Sequence, residues 1–386
     1  MHKAEDDNAT ATAQLLWAAC RPAADVAAVH DAIDRGADVK LAAGVAVVGR
    51  TGPLLWRTLD DAGLLDTLGS IRDAVQADYD MRRVQAALLL PLAVARAIEP
   101  LTGAGLEPVI FKGPVVAARY PSPGLRPMDD IDVLLPPEEH QQGVALLEAA
   151  GWKRYERDGD HYDTVLTHAT VPGLALELHQ GLDSWRDRTN RLTSMDLWRA
   201  RVPVDCMGTA AYSVPPEMEL LALAAHAGKP YHTFQRLIWS VDFAVVIGAA
   251  GEAFDWDALA RQSEAASCRT VIAVALRHAR RLGAEVPDEL LALRGGRYRQ
   301  AALAPVVDEQ WPVLFPDAGQ VHRLRYALWD AWTRQALLML GEITRDGVLR
   351  VPQRLAYVLW QGLRRGLRGR RPEPTLDIDV SAPQSH

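Results

Sequence analysis

Asp130-Ile131-Asp132-Val133-Leu134-Leu135 places two carboxylates inside an apolar run, and this constrains the fold more than any other stretch of the chain. Extended backbone accommodates the pattern, because successive side chains alternate faces and put Asp130 and Asp132 on one side with Ile131 on the other. Same-face neighbours on a strand stand about 6.5–7 Å apart, so their carboxylates can converge on a hard divalent cation. The alternative is a strand end whose acids simply face water. The flanking residues favour the first reading. Upstream, Leu106–Phe111 reads as a short buried strand, and Lys112-Gly113-Pro114 as a sharp exit into a helical Val115–Tyr120. The glycine lets backbone N–H groups approach a ligand, the proline suits a first helical position, and a helix start favours anions. Lys112 adds a positive charge. Tyr120–Met128 holds three prolines and a glycine, a rigid loop that delivers Arg126 four residues before Asp130. Strand, glycine turn, helix, arginine loop and acidic strand form an ordered set able to hold a triphosphate and its metals.

Lys-Gly followed by Gly-Leu-Arg-Pro-Met-x-Asp-Ile-Asp-Val-Leu resembles the signature of the uncharacterised nucleotidyltransferase-like family within the polymerase-β-type nucleotidyltransferase superfamily. It is also similar to nucleotidyltransferase toxins of abortive-infection systems. The resemblance covers Leu106–His179 and extends more loosely through Pro216–Ile247. It departs where the usual Gly-Ser after the first strand is replaced by Lys112-Gly113-Pro114. In the superfamily a third carboxylate comes from a later strand, and Leu176-Glu177-Leu178-His179 fits that place. On strand alternation Glu177 and His179 share a face, so either could reach Asp130 and Asp132 if the two strands are neighbours.

The resemblance implies metal ligands Asp130, Asp132 and Glu177, holding two Mg²⁺ (or Mn²⁺) ions, and a nucleoside triphosphate as co-substrate. An NMP group would pass to a hydroxyl of an unidentified small-molecule, peptide or protein acceptor, with release of pyrophosphate. Lys112, the Gly113 backbone and Arg126 are the expected phosphate contacts. Arg126 could instead pin its loop by pairing with Asp129. His226 and Lys229, with His232 close by, surround a turn between two expected helices, and the likeness places them at the nucleotide or acceptor cleft. Transfer of the γ-phosphoryl group on the same metal site, or a non-catalytic nucleotide-binding or partner-binding role, are the competing readings.

Over 386 residues, 49% hydrophobic and 24% charged content is that of an ordinary globule, and a net charge of −7 gives no bulk attraction to nucleic acid. Three dispersed cysteines without a Cys-x-x-Cys suit a reducing compartment, and the polar, acidic N-terminus lacks the pattern of a signal peptide. No run is expected to reach the roughly 18 apolar residues of a membrane span. A cytoplasmic protein is expected.

The expected fold is α+β: a helical N-terminal region (1–99), a small mixed-sheet α/β core (100–182), a helical C-terminal region (183–350), then a basic helix and tail (351–386). Residues 67–99 read as a long helical zone broken near Pro91. Residues 162–179 read as a hairpin about Val171-Pro172-Gly173, and the pattern from Asp183 onward as wholly helical. Residues 352–371 carry six arginines and no acid, which would allow a weak contact with an anionic surface.

Overall fold

The computed structural model describes residues 2–155, 162–182, 190–229, 232, 234 and 236–293. The stretches 321–343 and 352–371, the tail, and Trp311, Trp329 and Trp332 lie outside them.

Six helices come first: α1 (His2–Ala19), α2 (Val26–Asp34), α3 (Val39–Val48), α4 (Gly52–Asp61), α5 (Arg72–Val84) and α6 (Leu90–Gly103). Asp25 and Asp38 begin α2 and α3 by accepting the orphan N–H groups of Ala28 and Leu41. The expected break near Pro91 is absent. A π-helical turn, Gln85–Leu89, joins α5 to α6, and Pro91 falls in the first turn of α6, where a missing N–H costs little. The stretch Leu65–Gly103 is therefore one helical run of 39 residues, and by length and composition alone it could cross a membrane, contrary to the sequence reading. It is kinked at Gly69. Leu90, Ala93, Val94, Ala97, Ile98 and Leu101 are buried in the core beneath the sheet, whereas Met81, Val84 and Leu88 are exposed, and 33% of the apolar stretch is buried.

The sheet contains β1 (Val109–Phe111), β2 (Asp130–Leu134), β3 (Lys153–Arg154), β4 (Asp163–Thr167), β5 (Ala175–His179), β6 (Val202–Cys206) and β7 (Thr209–Ser213), in the order β3-β4-β5-β2-β1-β7-β6. Pairing is antiparallel except for β2 with β5 and β1 with β7. The short α7 (Gly113–Ala117) follows β1, and α8 (Pro137–Ala149) follows β2 with Pro137 in its first turn and Glu138 and Glu139 on the positive end of its dipole. The expected β4–β5 hairpin is present.

The wholly helical reading of residues beyond 182 needs correction. After α9 (Ser194–Arg199) the chain returns to the sheet as the β6–β7 hairpin, so the sheet extends past the expected core boundary. Its two-residue loop, Met207-Gly208, has positive φ at both positions, 54° and 87°, the requirement of a type I′ turn. Pro203 sits in β6, the edge strand, where a missing donor is tolerated. Four helices complete the described chain: α10 (Pro216–Ala227), α11 (Leu237–Ala250), α12 (Trp256–Ala265) and α13 (Arg269–Arg281).

Two cores result. One face of the sheet, with Ile110, Ile131, Val133, Leu176 and Leu178, packs on α6 and α8. The other, with Val109, Phe111 and Leu134, packs in a larger core made jointly by α1–α4 and α10–α13. Trp17 of α1 meets His278 of α13 edge to face, and Ile238 of α11 donates its N–H to the Gly49 carbonyl after α3.

Candidate active site

Strand register assembles the site. Asp132 is level with Glu177 in the parallel β2–β5 pair and faces Phe111 across the antiparallel β1–β2 pair. His179 follows Glu177 by two residues, so it shares the same face. The carboxylates of Asp132 and Glu177 and the ring of His179 bring their ligand atoms within 4.8 Å of one another. Asp130, level with Ala175, stands ahead of this group at the more open start of β2. The tight cluster is thus Asp132, Glu177 and His179, with Asp130 on the same face of β2 two residues ahead.

Internal cations compensate the acids. Asp132 Oδ1 accepts from Lys112 Nζ at 2.9 Å and from His179 Nε2, also at 2.9 Å, and Glu177 Oε2 lies 3.6 Å from the same imidazole nitrogen. Burial alone would raise the Asp132 carboxyl, but Lys112 and His179 outweigh it and hold the group well below its usual range. Burial would lower His179, and its hydrogen bonds to Asp132 and Glu177 instead lift it to about 9. Glu177 is lowered because His179 outweighs desolvation, whereas Asp130 is pushed up to about 6 by lost hydration and the like charges of Asp132 and Glu177.

A lysine at a strand exit is ordinarily exposed unless a ligand covers it. Lys112 is instead largely buried against Asp132 and the Phe111 ring, and its own pKa is raised because the acids outweigh desolvation. Its backbone has φ of 60°, a left-handed value that a residue with a side chain adopts only at a cost of about 1–3 kcal/mol. Gly113 is needed for a close approach, since a Cβ there would meet the Asp130 carbonyl oxygen at 3.3 Å. The group it approaches in this structure is the β2 backbone.

Arg126 pairs with Asp242 and not with Asp129. Its Nε and Nη2 donate to the two carboxylate oxygens of Asp242 at 2.8 Å each, and Tyr120 Oη donates to the same carboxylate at 2.7 Å. A planar guanidinium fits a carboxylate in this two-point manner, and both groups are buried between the arginine loop and α11. Asp129 pairs instead with Arg50 and Arg82 from the N-terminal helices. Arg126 is therefore a clamp on the site's frame.

A small cleft, about 20 Å³ in volume, adjoins the cluster between sheet and α10. Lys112, His179, His226, Lys229 and Asn190 supply its polar lining, and Phe111, Leu182, Leu192, Ala222 and Ala225 its apolar walls. Lys112, His226 and Lys229 thus share one cavity with His179 of the cluster. Lys229 Nζ donates to the Leu182 carbonyl at 3.0 Å and lies over the Tyr162 ring. The His226 and His232 rings lie 4.4 Å apart, tilted by 51°, and stay neutral near pH 7: burial first, then the surrounding cations, lower His226 well below its ordinary value, and burial takes His232 to about 4. The Nδ1 atom of His226 is buried without a hydrogen-bond partner among the described residues.

His179 was absent from the expected ligand set, although alternation had put it on the face of Glu177. The role of Asp242 as the partner of Arg126 had no local signal, because 116 residues separate them.

Buried oxygen donors from two adjacent strands, with an imidazole nitrogen beside them, fit a divalent cation. A mixed sheet presenting such a set to a cleft lined by lysines is the layout of an enzyme that handles phosphate groups. The chain belongs to the uncharacterised nucleotidyltransferase family, which matches residues 35–284 and so includes helices on both sides of the sheet. No curated protein and no solved structure matches it.

Proposed function

We propose that the protein transfers an NMP group from a nucleoside triphosphate to a hydroxyl of a small-molecule, peptide or protein acceptor, with release of pyrophosphate. The observation that carries this reading is the register of Asp132 opposite Glu177, in a chain of a nucleotidyltransferase family. Asp132 and Glu177, with Asp130 at the open side, would hold Mg²⁺ or Mn²⁺. A divalent cation bound there supplies charge neutralisation at phosphate oxygens and lowers the pKa of an attacking hydroxyl.

The chain's own groups do the rest. Lys112 can turn from Asp132 toward the triphosphate once a cation neutralises that carboxylate, and Lys229 keeps the adjoining cleft positive. His226 offers a neutral nitrogen with unused bonding capacity to a substrate group in the same cleft. The Arg126–Asp242 clamp holds the loop that leads into β2, and so fixes the strand on which the carboxylates stand.

The test is label transfer. Incubation with α-³²P- and γ-³²P-labelled triphosphates and candidate acceptors should give labelled product from the α label alone, together with pyrophosphate. Product from the γ label alone would make the protein a kinase and sink this reading. Asp132→Asn should abolish transfer, whereas Asp129→Asn should retain it, because Asp129 is engaged with Arg50 and Arg82.

A further inference from the structure

We infer that His179 is a direct ligand of the bound cation, and that the site therefore selects a transition-metal dication such as Mn²⁺ over Mg²⁺. This rests on the metal dependence proposed above and goes beyond it in assigning a nitrogen ligand.

Three features of the geometry carry the assignment. First, Nε2 of His179 is the nitrogen that faces both carboxylates, at 2.9 Å from Asp132 and 3.6 Å from Glu177, so a dication that displaces the Nε2 proton meets all three donors. Second, the ring is held from behind. Nδ1 donates to the Gly181 carbonyl oxygen at 3.3 Å, Phe111 meets the ring edge to face at 5.3 Å, and Tyr162 stacks on it at 5.9 Å. Metal-binding histidines are commonly oriented in this way, with the distal N–H fixed by a carbonyl so that the other nitrogen is presented to the ion. Third, the three donors come from facing and same-face positions of two adjacent parallel strands, so their convergence is built into the sheet.

The donor set then decides the metal. Mg²⁺ is hard, dehydrates reluctantly and takes oxygen ligands, so an imidazole adds little to its binding. Mn²⁺, Co²⁺ and Zn²⁺ accept imidazole alongside carboxylates, and for them the nitrogen is a gain. If His179 were only a buried counter-ion to Asp132 and Glu177, its removal would alter the binding of all these cations alike.

The experiment uses the full chain with Mn²⁺ and Mg²⁺ as probes. Pulsed electron paramagnetic resonance of the Mn²⁺ complex should show nitrogen modulation from a directly bound imidazole, and this should vanish in His179→Gln. Calorimetric titration should show Mn²⁺ binding weakened roughly tenfold or more in that variant, with Mg²⁺ binding changed by less than about threefold. Bound Mn²⁺ without nitrogen coupling in the unaltered protein would overturn the inference whatever the variant does, as would an unchanged Mn²⁺-to-Mg²⁺ affinity ratio in His179→Gln. The spectrum also separates this inference from the proposed reaction. NMP transfer with Mn²⁺ bound and no nitrogen coupling removes the ligand and leaves the reaction standing. Nitrogen coupling without NMP transfer keeps the ligand and removes the reaction.

Discussion

At the scale of single residues, Asp132 answers two cations at once, since one of its oxygens serves both Lys112 and His179. Lys112→Ala should lower stability in metal-free buffer by about 1.5–3 kcal/mol, the worth of a hydrogen bond to a charged group. Added Mn²⁺ should restore much of that loss, because a bound cation replaces the missing positive charge and stabilises the native state by mass action. Thermal melts with and without metal check both parts. A different carboxylate sets a pH response. Glu219, buried beside Arg119, is pushed up to about 7, chiefly by burial. Its folded pKa lies above the unfolded value near 4.5, so the native state holds a proton that the unfolded chain has released between those two values. Stability should therefore fall as pH rises through that window, and the loss is complete above about 7. Glu219→Gln should flatten the decline and melt higher than the unaltered protein at pH 8, as scanning calorimetry across pH 5–8.5 would show.

At the scale of elements, the site depends on a loop gripped from two sides. The short turn Pro123–Leu125 lies against α5, and a Cβ on Gly124 would come within 2.9 Å of the Arg83 Cα atom. Backbone cannot swing aside as a side chain can, so Gly124→Ala should cost about 1–3 kcal/mol in urea denaturation. From the other side the loop is clamped through Arg126 and Asp242. Asp242→Ala leaves a buried guanidinium without its carboxylate and should cost about 3–5 kcal/mol. Tyr120→Phe removes one hydrogen bond from the same carboxylate and should cost about 1 kcal/mol. Arg126→Lys keeps the charge and loses the two-point fit, so it should fall between them in the same denaturation series.

At the scale of the whole molecule, the helices before the sheet and those after it are not separate lobes. Leu15, Leu16, Leu54, Leu55 and Leu59 lie in the same core as Phe243, Val274 and Leu276. Neither group can bury its apolar face without the other. Deleting residues 2–61 should therefore leave a chain that unfolds without a sharp transition and is rapidly proteolysed beyond β7. Calorimetry and limited trypsin digestion test this, and a truncated chain that melts cooperatively with a protected α10–α13 would show the shared core to be dispensable.

What the amino-acid order decided by itself was local. The Asp-Ile-Asp alternation, the Lys-Gly-Pro exit and the β4–β5 hairpin were all legible, because strand alternation and turn chemistry act over a few residues. The family signature added Glu177 to the two aspartates. The β6–β7 hairpin left a usable trace in Met207-Gly208 between alternating strands, overshadowed by the helical pattern around it. Tertiary structure alone decided the rest. It levelled Asp132 with Glu177 so that His179 fell into the cluster, and it gave Arg126 to Asp242 and Asp129 to Arg50 and Arg82. It also merged two helical regions into one core. These are pairings between groups distant along the chain. They are set by which faces must be buried and which charges must be matched once buried, and no short window of sequence contains both partners.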